Sequence, residues 1–506
     1  MDDLKITLDT LSDDDKRELA VFIQREKKKK HRKDLELFQL LQQKKNYKPE
    51  QLIQRLYPED PNPVAYYALR KRLMRHITNF ILLKRVEQDI TAASPIMGML
   101  SLAHYLFDMR ADKLSWTYLR KAEKLAITNE QFDLLNMVYN LQIEKADSEY
   151  ADSVEEIICK RNQNKLAADE EERANIASSI IKHRLQAVRR QGSDLHFNNI
   201  IQEVLKAYGL TEAVSKRPSL LYKLLSIARS AVLARKDFIS FEPYIIAQYH
   251  EAEQKYGGFK KAHQYYKASL LYMIAHVLYR NKKFRESMHY LGLLHESISG
   301  EGKSHHALFY PRYTFLMVAN LVFLFRIQEA IELMENLLYK NTAILGTKDL
   351  LTAQLGLGFN YFAQGAFSKA NKVLLNINHS DKWCEGKMGR EWTLKKNLGE
   401  LIIQYELGNE DLVLNRIRAF ERNYRTLLQE PAYRNVKHYL QLIKHMIDFP
   451  EEVYRPEFVQ SVENTLEFSS FEDTDIQAMS FYAWLKSKML RRPYYDVLLE
   501  LAQTKG

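Results

Sequence analysis

A short motif in the middle of the chain has the residue types of a phosphate-binding loop. Gly302, Lys303 and Ser304 match the end of such a loop, in which backbone N–H groups and a lysine hold phosphates. However, Ser297 stands where the first glycine belongs, and the residues before it have a helical period where the loop needs a strand. The sequence therefore favours a turn between two helices over a nucleotide site.

The histidines and cysteines do not form a recognisable catalytic or metal motif. His305 and His306 are adjacent, without an acidic or cysteine partner at ligand spacing. Cys159 and Cys384 are far apart, which predicts structural thiols in a reducing compartment. The chain has no HExxH, GxSxG or GxGxxG motif. We expect no metal, no other cofactor and no enzyme activity; the alternative is an acid–base pair that folding assembles from carboxylates distant in the sequence.

The elements that would position any binding residues are helices. The 506-residue chain has only 17 Gly and 12 Pro, and it is rich in Leu, Lys, Glu, Ala, Gln and Arg, which favour helix. No run of alternating β-branched residues predicts a strand. The predicted fold class is therefore all-α.

The segment from Leu355 to Asn378 predicts two amphipathic helices that fold back on each other around Gly365. Apolar and small residues recur at offsets of three or four on one face of each helix. These residues are Leu357, Gly358 and Tyr361 in the first helix and Phe367, Ala370, Leu374 and Ile377 in the second. The small side chains of Gly358 and Ala370 would let the two helices approach closely.

The small position of this helix pair recurs along the chain. It falls at Ser287, Ala330, Ala370 and Val413, at intervals of 43, 40 and 43 residues. A fixed period of this size predicts a helical-hairpin solenoid. The spacing of residues 357, 358, 361, 365, 367 and 370 resembles the tetratricopeptide repeat. The resemblance implies stacked helix pairs, but the period is longer than usual for the family, so we transfer none of its binding residues.

Basic residues are prominent in the first 90 residues of a chain whose net charge is +10. Two groups could contact nucleic-acid phosphates. One is Lys27, Lys28, Lys29, Lys30, Arg32 and Lys33, and the other, on a predicted helix over 64–83, is Arg70, Lys71, Arg72 and Arg75. Residues 47–77 resemble the helical part of a winged-helix DNA-binding domain, although no strand-rich wing flanks them. The alternative for both groups is an exposed, solvated helix surface.

The sequence predicts four regions. These are a basic N-terminal helical domain (1–90), a helical region with loose repeats (91–255), the tetratricopeptide-like repeats (256–428) and a C-terminal helical cap (429–506). Residues 1–85 and 481–502 resemble the ends of a group of uncharacterised bacterial helical-repeat proteins, which implies one unit with its own two caps. The N-terminus lacks a signal-peptide pattern, and no apolar run approaches the roughly 18 residues of a membrane span. We expect a cytoplasmic protein.

These features predict a non-enzymatic scaffold or adaptor that binds a protein or peptide in the groove of the solenoid. Asn320, Asn360 and Lys396 are candidate partner-binding residues, expected to be exposed on the first helices of the pairs. The alternative for each is a place in the core or on a neutral surface. The alternative function is a nucleic-acid-binding regulator with a helix-turn-helix-like N-terminal domain and a repeat sensor domain. A groove filled by the chain's own ends would remove the predicted site.

Overall fold

The computed structural model describes residues 3–11, 13–25, 33–42, 47–88, 92–191, 197–211, 217–235, 238–255, 259, 263–300, 305–430, 433–465 and 476–503. These residues form 25 α-helices, a few short 3₁₀ turns and no strand, so the predicted all-α class is confirmed for the described part of the chain.

The first ten helices lead from the N-terminus to residue 207. Their bounds are α1 Asp3–Asp9, α2 Asp13–Arg25, α3 Lys33–Gln42, α4 Pro49–Leu56, α5 Pro63–Gln88, α6 Ala93–Asp108, α7 Asp112–Thr128, α8 Phe132–Glu144, α9 Val154–Gln191 and α10 Phe197–Ala207.

Fifteen further helices follow among the described residues. Their bounds are α11 Pro218–Arg235, α12 Phe238–Lys255, α13 Gln264–Arg280, α14 Phe284–Ser299, α15 His306–Phe323, α16 Ile327–Tyr339, α17 Thr347–Ala363, α18 Phe367–Leu375, α19 Asp381–Met388, α20 Arg390–Glu406, α21 Glu410–Asn423, α22 Arg434–Asp448, α23 Pro456–Thr465, α24 Ile476–Leu490 and α25 Tyr494–Gln503.

The chain divides into two compact units, Met1–Asp169 and Glu170–Gly506. In the N-terminal unit, α1 to α5 enclose a core that includes the fully buried Phe38 and Tyr66, and α6 to α8 enclose another around Trp116. Pro49 and Pro63 open α4 and α5, because proline suits the first turn of a helix. The predicted four-region division stays a prediction.

In the C-terminal unit, consecutive helices pack as hairpins. The pairs are α13 with α14, α15 with α16, α17 with α18, and α20 with α21. The first helices of successive pairs also contact one another, and each second helix packs against the first helix of the next pair. The predicted small positions, Ser287, Ala330, Ala370 and Val413, are fully buried at 0% exposure. The predicted stack of helical hairpins is therefore confirmed.

A repeated turn joins the two helices of each pair. One residue in every turn has a left-handed backbone: Lys282 (φ 61°), Phe325 (63°), Gly365 (80°) and Gly408 (73°). The N–H of the following residue donates to the carbonyl five residues before it, which satisfies a carbonyl that the helix end leaves free. These turn residues follow the same intervals of 43, 40 and 43 as the small positions.

Close approach between paired helices depends on Gly358. A Cβ atom at this position would lie 2.8 Å from Cδ2 of Leu374 and 3.8 Å from the carbonyl oxygen of Ala370. Real Cβ atoms do not approach carbon this closely, so a larger residue would displace the side chain of Leu374 on α18. The predicted role of Gly358 is confirmed.

The last two helices, α24 and α25, form a hairpin that packs against the ends of the first helices. Val497 and Leu498 share a buried cluster with Phe284 and Phe323, whose rings stack at 4.9 Å. The indole Nε1 of Trp484 donates to Glu406 at the end of α20, at 2.6 Å. The chain's own C-terminal hairpin therefore lies along one edge of the repeat stack.

Candidate functional site

A cavity of about 490 Å³ opens on the surface formed by the first helices α13, α15, α17 and α20, which we call the first-helix face. Residues spaced three or four apart on α17 line its floor, because that spacing puts them on one side of a helix. The floor residues are Thr352, Leu355, Gly356, Phe359, Asn360 and Ala363.

Neighbouring helices form the walls of the cavity. Aromatic and aliphatic side chains dominate them: Tyr279, Ala319, Val322, Phe323, Met388, Trp392, Phe481, Tyr494 and Leu498. The C-terminal hairpin contributes three of these and Ser480, and the ring of Phe481 meets that of Phe359 edge-on at 6.1 Å. The hairpin therefore builds one wall and leaves the cavity open.

Two donor nitrogens in the lining have no acceptor within the described chain. Asn360 is 7% exposed, and its side-chain Nδ2 is buried without a hydrogen-bond partner. The indole Nε1 of Trp392 is buried and unpartnered in the same way. Buried donors are nearly always paired, so these two N–H groups indicate an acceptor supplied from outside the chain.

Two charged residues of α20, Glu391 and Lys395, complete the lining. They are four residues apart and therefore share one side of the helix. Glu391 is exposed and Lys395 is half-buried. The cavity thus combines a large apolar surface, two buried donors and charges of both signs, which is the usual composition of a ligand pocket.

Comparison with known proteins adds a distant likeness among solved structures. No protein-family model matches the chain, and neither does any curated protein sequence. Among solved structures, the crystal structure of the apo form of RapI is similar, with 15% sequence identity and a TM-score of 0.46. The match covers 76% of this chain and 97% of that one.

The three predicted partner-binding residues are all buried, so they occupy the alternative place in the core and not an exposed position. Asn320 is 0% exposed and donates from Nδ2 to Ser287 Oγ at 3.0 Å and to the Leu316 carbonyl at 2.8 Å. Lys396 is 5% exposed, with its ammonium group 3.0 Å from Glu400. Asn320 therefore joins α15 to α14, and Lys396 joins α20 to α19 through Asp381, whose carboxylate lies 3.4 Å from its ammonium group.

Asn360 is the predicted residue that reaches the cavity. Its contribution to partner binding, like that of Asn320 and Lys396, stays a prediction. The sequence did not single out Trp392, Phe481 or Tyr494, which line the same cavity from three different helices. These residues come together only because the C-terminal hairpin docks there, and the repeat period in the sequence does not predict that position.

The predicted nucleic-acid contacts have mixed environments. Lys27, Lys28, Lys29, Lys30 and Arg32 lie outside the described residues. The remaining five belong to α3 and α5: Lys33, Arg70, Lys71, Arg72 and Arg75.

Three of these five make contacts within the N-terminal unit. The ammonium of Lys33 lies 3.8 Å from the ring centroid of Tyr57, and Arg70 contacts the hydroxyl of Tyr66 at 3.3 Å. Arg72 Nε lies 3.7 Å from the carboxylate of Asp34. Lys71 and Arg75 are exposed.

The residues of the phosphate-loop motif and the adjacent histidines do not form a site in the part of the chain that the structure describes. Gly302, Lys303 and Ser304 lie outside the described residues; His305 packs edge-on against Tyr265, and His306 stacks on Tyr310. No group of three or more His, Cys, Asp or Glu in the described part could hold a metal ion.

The two cysteines are unpaired. Cys159 is exposed, and burial raises the pKa of the Cys384 thiol. None of the described helices is both long enough and apolar enough to cross a bilayer.

Proposed function

We propose that the protein is a non-enzymatic scaffold that binds a peptide, or an extended segment of a protein partner, at the cavity of the first-helix face. An apolar side chain of the ligand enters between the aromatic walls. Backbone carbonyl oxygens of the ligand accept hydrogen bonds from Asn360 and Trp392. The volume of about 490 Å³ lies within the range of roughly 300–1,000 Å³ that is common for ligand pockets.

The unpartnered N–H groups of Asn360 and Trp392 are the observation that carries this proposal. A buried donor without an acceptor costs about 1–3 kcal/mol, and this penalty disappears when a ligand carbonyl accepts the bond. Peptide backbones present such carbonyls at regular intervals beside their side chains. The composition of the cavity therefore favours a peptide over a small polar metabolite or a polyanion.

A peptide-library selection on the full-length chain tests the proposal. We expect selected peptides to carry a large apolar residue, and Trp392→Phe and Asn360→Ala to weaken their binding about tenfold each, which corresponds to about 1.4 kcal/mol per lost bond. Trp383→Phe is the matched control, because Trp383 stacks on His379 at 3.7 Å and does not line the cavity. Selected peptides that bind both cavity variants as tightly as the parent chain would refute the proposal.

The nucleic-acid alternative has one supporting observation: Lys71 and Arg75 are exposed one turn apart on α5. If they contact phosphates, retention of the chain on immobilised DNA or RNA should fall steeply with salt, and the variant carrying Lys71→Gln and Arg75→Gln should show a shallower salt dependence. An absence of retention at low salt would remove this alternative.

A further inference from the structure

Helix α6 of the N-terminal unit is apolar on more than one side. Its 16 residues include one charged side chain, Asp108, and one histidine. Ile96, Leu100 and Ala103 are buried in the core around Trp116. A surface helix of a globular protein normally has polar residues opposite its buried side, and a helix that is apolar all round is normally covered. The outer side of α6 therefore has the composition of a covered surface.

This outer side is exposed in the single chain. Met97, Tyr105 and Met109 are each more than half exposed, and Leu102 is 37% exposed. Together the four side chains present on the order of 400 Å² of mostly apolar surface, taking roughly 200 Å² for one whole side chain of this size. An apolar patch of roughly 300–600 Å² on a monomer is often an interaction site. We call these four residues, with Ser101 between them, the α6 face.

Small residues lie at the middle of the α6 face. Ser101 is exposed, and its hydroxyl donates to the carbonyl of Met97 at 3.0 Å, so a partner can bury it without breaking its hydrogen bond. Gly98 is also exposed and has no side chain to hold a partner away. Met97 and Tyr105 lie four residues before and after Ser101, each about 6 Å from it along the helix axis. A second helix can therefore cross closely at Ser101, between two large side chains.

The α6 face is self-complementary when two copies pair antiparallel about Ser101. Met97 of one copy then meets Tyr105 of the other at two equivalent contacts, and a methionine sulfur packs favourably against an aromatic ring. Asp108 lies two helical turns after Ser101 on the same side of α6, so it comes beside Ser94 in the first turn of the second copy. The helix dipole favours a carboxylate there, and this turn has no acidic residue of its own. Apolar packing and charge thus both favour a second copy of the chain as the partner.

We propose that the α6 face is a homodimer interface, in which α6 packs antiparallel against α6 of a second copy with the two-fold axis beside Ser101. The four apolar side chains of both copies contribute on the order of 800 Å² of buried surface, below the roughly 1,200 Å² at which stable complexes begin. We therefore expect a weak dimer, with a dissociation constant on the order of 10–100 μM. The interface uses no residue of the peptide cavity, so it stands whether or not that cavity binds a peptide.

Sedimentation velocity of the full-length chain, from about 1 to about 300 μM, measures this association. We expect a monomer at the lowest concentration and mostly dimer at the highest. Met97→Glu and Tyr105→Lys should each raise the dissociation constant at least about tenfold, because each places an unpaired charge in the interface. Leu166→Glu on α9 is the matched control and should leave the association unchanged, since Leu166 is also apolar and exposed but lies outside the α6 face.

The double variant that carries both Met97→Glu and Tyr105→Lys tests the antiparallel register. Antiparallel pairing brings the two opposite charges together at both equivalent contacts, so the double variant should associate more tightly than either single variant. A general loss of stability at these positions would instead add up in the double variant.

A cysteine near the axis tests the register by a second route. Helices whose axes are roughly 8–10 Å apart bring facing Cα atoms to about 4–6 Å, a distance that a disulfide spans. With the exposed native thiol removed by Cys159→Ser, Ser101→Cys should therefore form a disulfide between two copies under mild oxidation. Thr117→Cys on α7 is the control, because Thr117 is also exposed and also donates to the carbonyl four residues before it, at 2.9 Å.

Four results would each overturn the proposal. The first is a chain that stays monomeric up to about 300 μM, which would leave the α6 face to a helix of a different protein. The second is a Met97→Glu or Tyr105→Lys variant that associates like the parent chain. The third is a double variant that associates no more tightly than the single variants, and the fourth is a Ser101→Cys variant that cross-links no more than Thr117→Cys.

Discussion

The hydroxyl of Tyr495 donates a hydrogen bond of 2.5 Å to the backbone carbonyl of Val322. Val322 is the penultimate residue of α15, so its carbonyl is one of the last four that have no partner within the helix. The bond therefore satisfies an orphan acceptor and fixes α25 against the repeat stack, next to the cavity that Val322 and Tyr494 line. Burial raises the pKa of Tyr495 to about 12, so its hydroxyl stays protonated and remains a donor at neutral pH.

Tyr495→Phe should loosen this hairpin without unfolding the repeats. The substitution leaves the carbonyl of Val322 without its donor, and we expect a cost of about 1–2 kcal/mol. Hydrogen–deuterium exchange should accelerate in α24 and α25 and stay unchanged in α20 and α21, because stability varies locally along a repeat stack. Tyr339→Phe is the control, since Tyr339 is 65% exposed. Equal exchange in both variants would show that the bond does not hold the hairpin.

The turn at Gly365 gives a second prediction. Its φ of 80° lies in the left-handed region, and no atom lies within 4 Å of the place where a Cβ would be. Gly365→Ala should therefore destabilise through backbone strain alone, by about 1–2 kcal/mol.

Gly386→Ala is the matched control for this turn. Gly386 also has open space around it, but it lies within α19, where alanine is the better helix former by up to about 1 kcal/mol. Thermal unfolding should shift in opposite directions for the two variants. A shift in the same direction would mean that the left-handed backbone at Gly365 is not what requires glycine.

The sequence predicted the repeats well because each helix pair depends on residues that are close together in the sequence. Each helix pair needs a small side chain at its closest contact, and this need does not depend on the rest of the fold. The regular intervals between Ser287, Ala330, Ala370 and Val413 therefore reveal the pairs in the sequence. The left-handed turn residues repeat with the same period. Lys282 and Phe325 take this conformation without being glycine, so the pattern of glycines alone would have missed half of these turns.

The site was predicted poorly because the residues that form it and determine its burial are far apart in the sequence. Asn320 and Lys396 look like exposed polar residues in the sequence, yet Ser287 and Glu400 provide the partners that allow their burial. The cavity also needs Phe481 and Tyr494, which lie more than a hundred residues beyond the floor helix α17. The docking of the C-terminal hairpin brings them there.

The buried ammonium of Lys396 should be a structural contact of α20. It lies 3.0 Å from Glu400 and 3.4 Å from Asp381, and it donates to Asn397 at 3.0 Å. Lys396→Met keeps the aliphatic stem and removes the charge, which leaves two carboxylates with one fewer donor each. We expect a loss of about 2 kcal/mol in the free energy of unfolding, in the range for removing one partner from buried charge-assisted bonds.

Denaturant unfolding checks this prediction against Lys372→Met. Lys372 is exposed on α18, so its substitution should change stability by less than about 0.5 kcal/mol. If the two variants are equally stable, the contacts of Lys396 contribute nothing measurable. A Lys396 variant that folds normally but loses affinity for a selected peptide would instead return this residue to the partner-binding role predicted from the sequence.

His276 should make the C-terminal unit sensitive to acid. Burial and the neighbouring charges of Arg229 and Arg280 lower its pKa from the usual 6.5 to about 3, so the folded chain holds it neutral while the unfolded chain protonates it below pH 6.5. Between pH 6.5 and pH 3 the unfolded chain therefore binds one more proton than the folded chain. The free energy of unfolding falls progressively as the pH is lowered through this window. The slope for this one group is at most about 1.4 kcal/mol per pH unit.

The variant His276→Gln cannot be protonated at this position, so it should flatten the pH dependence of unfolding in this window. The control is His379→Gln, because His379 stacks on Trp383 far along the repeats, and this variant should preserve the pH dependence. If the His276 and His379 variants lose stability equally between pH 6 and pH 4, His276 is not the group that titrates, and the acid sensitivity must arise elsewhere in the chain.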